Sequence, residues 1–316
     1  MIPTDIKMER MLKAARLYYE QGKTQSEVSK ELGLSRPLVS ALLAEARECG
    51  VVTITIRDLR MTDDVLTERL KKHFGLERVY IVPEEKLDEE TNNSLAEMAY
   101  QVCFDRCDAA SKIGIGWGHM PGLMMNFAER LPDAIKRKGR IFPLAGGINS
   151  VIRSYHVNEI VRTLALKSGK RAVFLYIPAL LESAAELERT KQTEAYTNIE
   201  KEWEKMDHAV VEISNYPAYP DLGVKSLYGN RLTEQHAVGR ILAYYFDAGG
   251  RIIDSNLDKA IQAPLQQLMR TDVIALCARQ TKAETVLGAL RLGMINTLII
   301  PFGLAENVVT LQENPA

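Results

Sequence analysis

Apolar positions in the first fifty residues recur at helical spacing in three short blocks. Met8, Met11, Leu12, Ala15, Leu17, Tyr18 and Tyr19 suit a helix over 8–21, and Gly22 ends it. Thr24 followed by Glu27 spells a capping box, so a second helix starts there and runs to about Leu32. Gly33 supplies a turn suited to positive φ. Ser35 is placed to cap a third helix, with Pro37 in its first turn, where a missing N–H costs little. Val39, Leu42, Leu43 and Ala46 form the buried face of that helix, and Gly50 closes it. The stretch 51–59, VVTITIRDL, alternates and is β-branched, which predicts a strand or wing. A further amphipathic helix covers 63–74, with Val65, Leu66, Leu70 and Phe74 on one side.

Beyond residue 78 the pattern changes. Short apolar runs at 78–83, 112–116, 140–147, 172–179, 208–214, 272–278 and 297–302 predict strands. Helical stretches at about 89–107, 120–130, 154–168, 183–204, 234–246 and 281–292 lie between them. This alternation implies a mostly parallel sheet covered on both faces, an α/β fold. Two domains are expected, 1–58 and 59–316, and a chain of 316 residues is long enough for both.

Composition narrows the class without deciding it. Hydrophobic and charged fractions of 46% and 26% are those of an ordinary globular protein. The net charge is −1, so any nucleic-acid contact must come from a local patch. The first 60 residues hold ten Lys/Arg against eight Asp/Glu, too mild an excess to identify a DNA binder by charge. Cys49, Cys103, Cys107 and Cys277 form no CxxC motif and read as reduced core thiols of a cytoplasmic protein. No metal site, cofactor, signal sequence or membrane span is expected.

The most informative stretch is 24–48, two short helices and a tight turn written as a helix-turn-helix DNA reader. Ser35, Arg36, Pro37, Ser40 and Ala41 would occupy the turn and exposed face that enter the major groove of double-stranded operator DNA. Arg36 would reach guanine or a phosphate, Ser40 a base or a phosphate, and Ala41 a thymine methyl. Thr24 and Gln25 would hold the backbone from the preceding helix, with Arg47 as a phosphate contact.

The run ARLYYEQGKTQSEVSKELGLSRPLVSALLAEARECGVVTITI resembles the DNA-binding domain of SorC-type sugar-responsive transcriptional regulators. IGIGWG (113–118), LAGGINS (144–150), HVNEIVRTLA (156–165), HAVGRILAYYFDAGGRII (236–253), VIALCARQTKAETVLGAL (273–290) and GMINTLII (293–300) follow in the order of that family's effector domain. The resemblance implies a winged helix-turn-helix domain and a larger Rossmann-like, phosphosugar-isomerase-like domain. It further implies binding of a sugar, sugar phosphate or polyol, and assembly into a homodimer or homotetramer.

Ligands of doubly wound sheets sit beyond the carboxyl ends of strands. Gly114, Gly116, Trp117 and Gly118 lie at one such end, and Gly146, Gly147 and Asn149 at another. Both loops are expected to expose backbone N–H groups that suit an anion, although these glycines equally permit tight turns. GIGWG lacks the spacing of a dinucleotide fingerprint. The resemblance places Asp247 and Lys282 around the pocket, and Asn158 with Arg162 on one helix face could point at it. The chain departs from the family where Arg240 stands in place of an acid, where Arg279-Gln280 replaces a glycine pair, and at Pro301-Phe302-Gly303. In the reading helix, Ala41 stands where an arginine is common.

Three functions compete. The first is a transcription factor gated by a carbohydrate. The second is a sugar-phosphate enzyme, for which no cluster of Asp, Glu and His is evident around the glycine loops; His119 and His156 lie nearest. The third is a constitutive DNA-binding protein whose second domain only oligomerises.

Overall fold

The computed structural model describes residues 4–49, 51–52, 64–104, 107–134, 138–148, 150, 152–217, 228–254 and 259–314. The chain divides into two compact units, 1–60 and 61–316.

The first unit contains helices α1 (Thr4–Ala15), α2 (Gln25–Leu32) and α3 (Arg36–Glu48), with a π-helical turn at Arg16–Glu20 after α1. The start of α2 is set by a reciprocal cap. The Thr24 backbone N–H donates to Glu27 Oε2 at 2.8 Å, and the Glu27 N–H donates to Thr24 Oγ1 at 3.3 Å. Gly33 ends α2 at φ +63°, a conformation that costs glycine nothing. Ser35 stands at the N-cap of α3 but makes no capping hydrogen bond, so its hydroxyl is not spent on its own helix. Val28, Val39, Leu42, Leu43 and Ala46 close a small core against Met11 and Ala14. Residues 51–52 form a bend, while the rest of the expected wing, 53–59, lies outside the described residues, as does Gly50.

The second unit is built on one sheet. Its strands are β1 (Arg78–Val82), β2 (Lys112–Ile115), β3 (Arg140–Pro143), β4 (Arg171–Ala172), β5 (His208–Asn215), β6 (Ala237–Ile241), β7 (Tyr244–Asp247), β8 (Asp272–Cys277) and β9 (Thr297–Pro301). The order β1-β9-β8-β5-β2-β3-β4 is parallel throughout, and β6 and β7 add an antiparallel hairpin to the end of β5. Its helices are α4 (Asp64–Phe74), α5 (Asp88–Phe104), α6 (His119–Glu129), α7 (Val157–Ser168), α8 (Ala184–Lys191), α9 (Glu194–Glu204), α10 (Arg231–Glu234), α11 (Leu265–Leu268), α12 (Ala283–Arg291) and α13 (Phe302–Glu313).

Strand periodicity divides the core in two. Ile113, Ile115, Val210, Ile274, Leu276 and Ile299 face a layer shared with α5, α6 and α7. Ala209, Val211, Val273, Ala275, Leu298 and Ile300 face the opposite layer, which includes α4, α9, α12 and α13. Among the described residues, no helix is long and apolar enough to cross a membrane, and no group of three potential ligands could hold a metal ion.

Three element assignments differ from the sequence expectation. The helix expected over 234–246 is the β6–β7 hairpin. Its apolar run, interrupted at Gly239-Arg240, fits either structure by spacing, and burial on both faces together with β-branched and aromatic residues favours the strands. The strand expected over 172–179 is only Arg171–Ala172. Beyond it, Pro178 lacks a ladder donor, and the Asn158 side chain takes both backbone groups of Leu175. The helix expected over 183–204 breaks in two because Thr193 accepts from the Tyr196 N–H and restarts it. Cys103 and Cys277 are core thiols as expected. Cys49 is exposed instead, because it caps the end of α3 beyond the buried face.

Candidate functional site

In the parallel sheet the chain runs outward in opposite directions from β2 and β5, so a crevice forms beyond their carboxyl ends. A cleft of about 320 Å³ opens there. Gly118 and His119 follow β2, Glu212, Ser214 and Asn215 end β5, and Gln280 and Thr281 follow β8. Arg240 enters from the hairpin, and Tyr155 from the turn before α7.

Glu212 dominates the floor. It lies on the α6 side of β5 between inward-facing Val211 and Ile213, and its Oε2 accepts the Met120 N–H at 3.0 Å. The backbone N–H of His119 donates to it as well. Burial is the main cause that pushes the Glu212 carboxyl up to about 7. The two N–H groups and the positive charge of Arg240 oppose that rise. The carboxylate therefore sits where the first turn of α6 offers its unpaired donors. Gly118, at φ +151°, leaves it room, since a Cβ there would run into the Glu212 side chain.

Arg240 is 3% exposed. Its guanidinium carbon stacks 4.8 Å from the Trp117 ring centre, and its Nη1 donates to the Leu242 carbonyl at 2.9 Å. Two buried donors in this cluster, Arg240 Nε and Trp117 Nε1, have no hydrogen-bond partner among the described residues. Burial lowers the pKa of His119, so its imidazole is neutral at pH 7.

Several expected pocket residues lie elsewhere or are engaged differently. Gly114 is inside β2 and packs against Leu144 and Phe142. The Gly116 N–H donates to Val210 O at 2.9 Å. The N–H groups of Gly146 and Gly147 donate to Ile261 O and Ile177 O, both at 2.8 Å, so this loop does not offer them to an anion. Asn158 points into the protein and binds the Leu175 backbone at 2.9 and 3.0 Å, which makes it a structural pin. Arg162 pairs with Glu159. Asp247 ends β7 and holds the following turn through Arg251 at 2.8 Å, away from the cleft lining. Lys282 caps α12 by its backbone, with its N–H on Asn215 Oδ1 at 2.9 Å; its exposed side chain is outside the described lining. Asn149 is outside the described residues.

The departures separate in space. Arg240 lines the cleft, whereas Arg279 turns away to pair with Glu84 at 2.7 Å. Glu84 also accepts the Gly303 N–H at 2.9 Å. His156 is exposed at the start of α7, while His119 shares the cleft with Glu212. Where no cluster of Asp, Glu and His was expected around the glycine loops, the fold brings one acid, Glu212, into the same cleft as His119. The missed residue is Glu212, and the signal was available: a lone acid in the otherwise apolar run HAVVEIS.

In the first unit, Thr24, Ser35, Arg36, Pro37, Ser40, Ala41 and Arg47 are exposed and Gln25 is half-buried. Leu38, 38% exposed, joins the same outward surface.

Residues 61–310 match the family model described as "Putative sugar-binding domain". The chain is 28% identical to the sorbitol operon regulator of Klebsiella pneumoniae over 305 residues, 94% of this chain and 96% of that protein. It is 25% identical to the deoxyribonucleoside regulator of Bacillus subtilis, covering 96% and 98% of the two chains. The crystal structure of the full-length sorbitol operon regulator SorC from Klebsiella pneumoniae superposes with a TM-score of 0.82 at 26% identity, covering 96% of this chain and 98% of that one. Matched by the sugar-binding model over most of its length and by these regulators from end to end, the chain belongs to the SorC family of sugar-responsive transcriptional regulators.

Proposed function

We propose that the first unit is a helix-turn-helix DNA reader and that a carbohydrate in the cleft sets its affinity for operator DNA. The observation that carries this reading is the two-sidedness of α3. Val39, Leu42, Leu43 and Ala46 are buried, while Ser35, Arg36, Ser40 and Ala41 on the other side face solvent with no structural task of their own. A helix so divided, preceded by a capped helix and a glycine turn, is shaped to enter a major groove. Thr24, Gln25 and Arg47 flank it as backbone contacts. Assembly as a homodimer or homotetramer would present two such helices to two half-sites.

The test is binding of the intact chain to DNA upstream of its own operon, by fluorescence anisotropy. Arg36→Ala is expected to weaken specific binding by about 1–3 kcal/mol, with little loss on random DNA. Equal loss on both would reduce Arg36 to a phosphate contact.

The cleft serves sensing, not catalysis, in this reading. Glu212 is held by the N–H groups of His119 and Met120, and the relatives are regulators. The competing enzymatic reading draws on Glu212 and His119 sharing one cleft. Turnover of a sugar phosphate by the purified chain, lost in His119→Ala, would establish it.

A further inference from the structure

We propose that the cleft takes an uncharged polyhydroxyl ligand, a free sugar or sugar alcohol, in preference to a phosphorylated one. The proposal rests on the sugar-effector reading above and narrows its ligand.

Phosphate recognition in an α/β crevice relies on unspent backbone N–H groups at a helix start or glycine loop. Several such groups, at the start of α6 and in the loops after β3 and β8, are spent inside the protein. At α6, the Glu212 carboxyl group takes the N–H groups of His119 and Met120, so an anion entering there finds the donors it needs already occupied. After β3, Gly146 and Gly147 donate to Ile261 O and Ile177 O. After β8, the N–H groups of Ala278, Arg279 and Lys282 donate to the side chains of Thr281, Asn92 and Asn215.

The described lining offers a balanced set in place of a cationic cradle. It has one carboxylate, Glu212, and one guanidinium, Arg240, whose buried Nε–H lacks a partner. Arg240 also stacks on Trp117 and donates to the Leu242 carbonyl, which limits its freedom to turn toward a phosphate. A hydroxyl group both donates and accepts, so adjacent hydroxyls can satisfy Glu212 and Arg240 together without adding charge. Ser214 and Tyr155 extend the same neutral chemistry along the wall.

Calorimetric titration of the full chain with xylitol, sorbitol, mannitol, ribose and fructose, each beside its terminal phosphate ester, tests this directly. Saturable binding of at least one free compound is expected, with its ester at least about tenfold weaker. Glu212→Gln should weaken the free ligand by about tenfold and narrow the gap to its ester. Inorganic phosphate at millimolar concentration should not compete. Tighter binding of an ester than of its parent would overturn the proposal and leave the sugar-effector reading standing. Binding of no compound of either kind would count against both. Arg240→Lys, which keeps the charge and loses the Nε donor, serves as the second variant. Unchanged affinity in both variants would remove these residues from the site.

Discussion

Glu212→Gln is expected to make the protein more stable at pH 8 and to flatten its stability between pH 4.5 and 7. Burial above all raises the folded-state pKa of Glu212 from 4.5 to about 7. Below pH 4.5 the carboxyl is protonated in both the folded and unfolded chains, and it contributes no difference. Between 4.5 and 7 the unfolded chain releases its proton while the folded chain keeps it, so stability falls as pH rises. Above pH 7 the full cost applies, about 3 kcal/mol for a displacement of this size. Glutamine keeps an acceptor oxygen for His119 and Met120 and carries no charge. Urea denaturation of both forms at pH 4, 6 and 8 should therefore show coincident stabilities at pH 4 and a gap of that order at pH 8. Parallel pH profiles would mean that Glu212 is solvated and that the cleft floor is not as described. A costly buried carboxylate in the cleft proposed for the effector fits a site that gives up stability for recognition.

The second large effect belongs to the small unit. Leu42 is 3% exposed in a core of few residues, and Leu42→Ala removes packing that its surroundings cannot refill. A cost of about 2–5 kcal/mol is expected, enough to unfold a small unit that is marginal by itself. DNA binding should disappear, while the thermal transition of residues 61–316 and their ligand binding persist. Calorimetric scanning with anisotropy on the same preparation checks both. Equal destabilisation of both units would contradict the division at residue 60.

Local chemistry explains what the sequence disclosed. Thr24, Glu27 and Gly33 determine their own backbone, so the boundaries of α2 could be read from three residues. Strand-to-helix alternation likewise announced the parallel sheet. The hairpin at 237–247 was hidden because its turn uses positive φ at Leu242 and, just before it, at His236, with no glycine to mark either. The glycine loops suggested an anion cradle because their N–H partners, Ile177 and Ile261, are remote in sequence. Asn158 reads as a surface polar residue until the fold brings Leu175 beneath it. Glu212 was visible as a charge in an apolar strand, and Arg240 as a departure from the family pattern in a stretch expected to be helical. Only the topology, which hydrogen-bonds β6 to the end of β5, shows that they belong to one cleft.

The account as a whole depends on coupling between that cleft and α3. A ligand regulates only if it binds the DNA-competent and DNA-incompetent states with different affinity. The decisive measurement is the affinity of the intact chain for its own upstream DNA, with and without a saturating cleft ligand, at fixed salt. The account predicts a change of about 5- to 150-fold, with the ligand concentration needed for half of it raised about tenfold in the Glu212→Gln protein. Identical DNA affinity with the ligand demonstrably bound would contradict it.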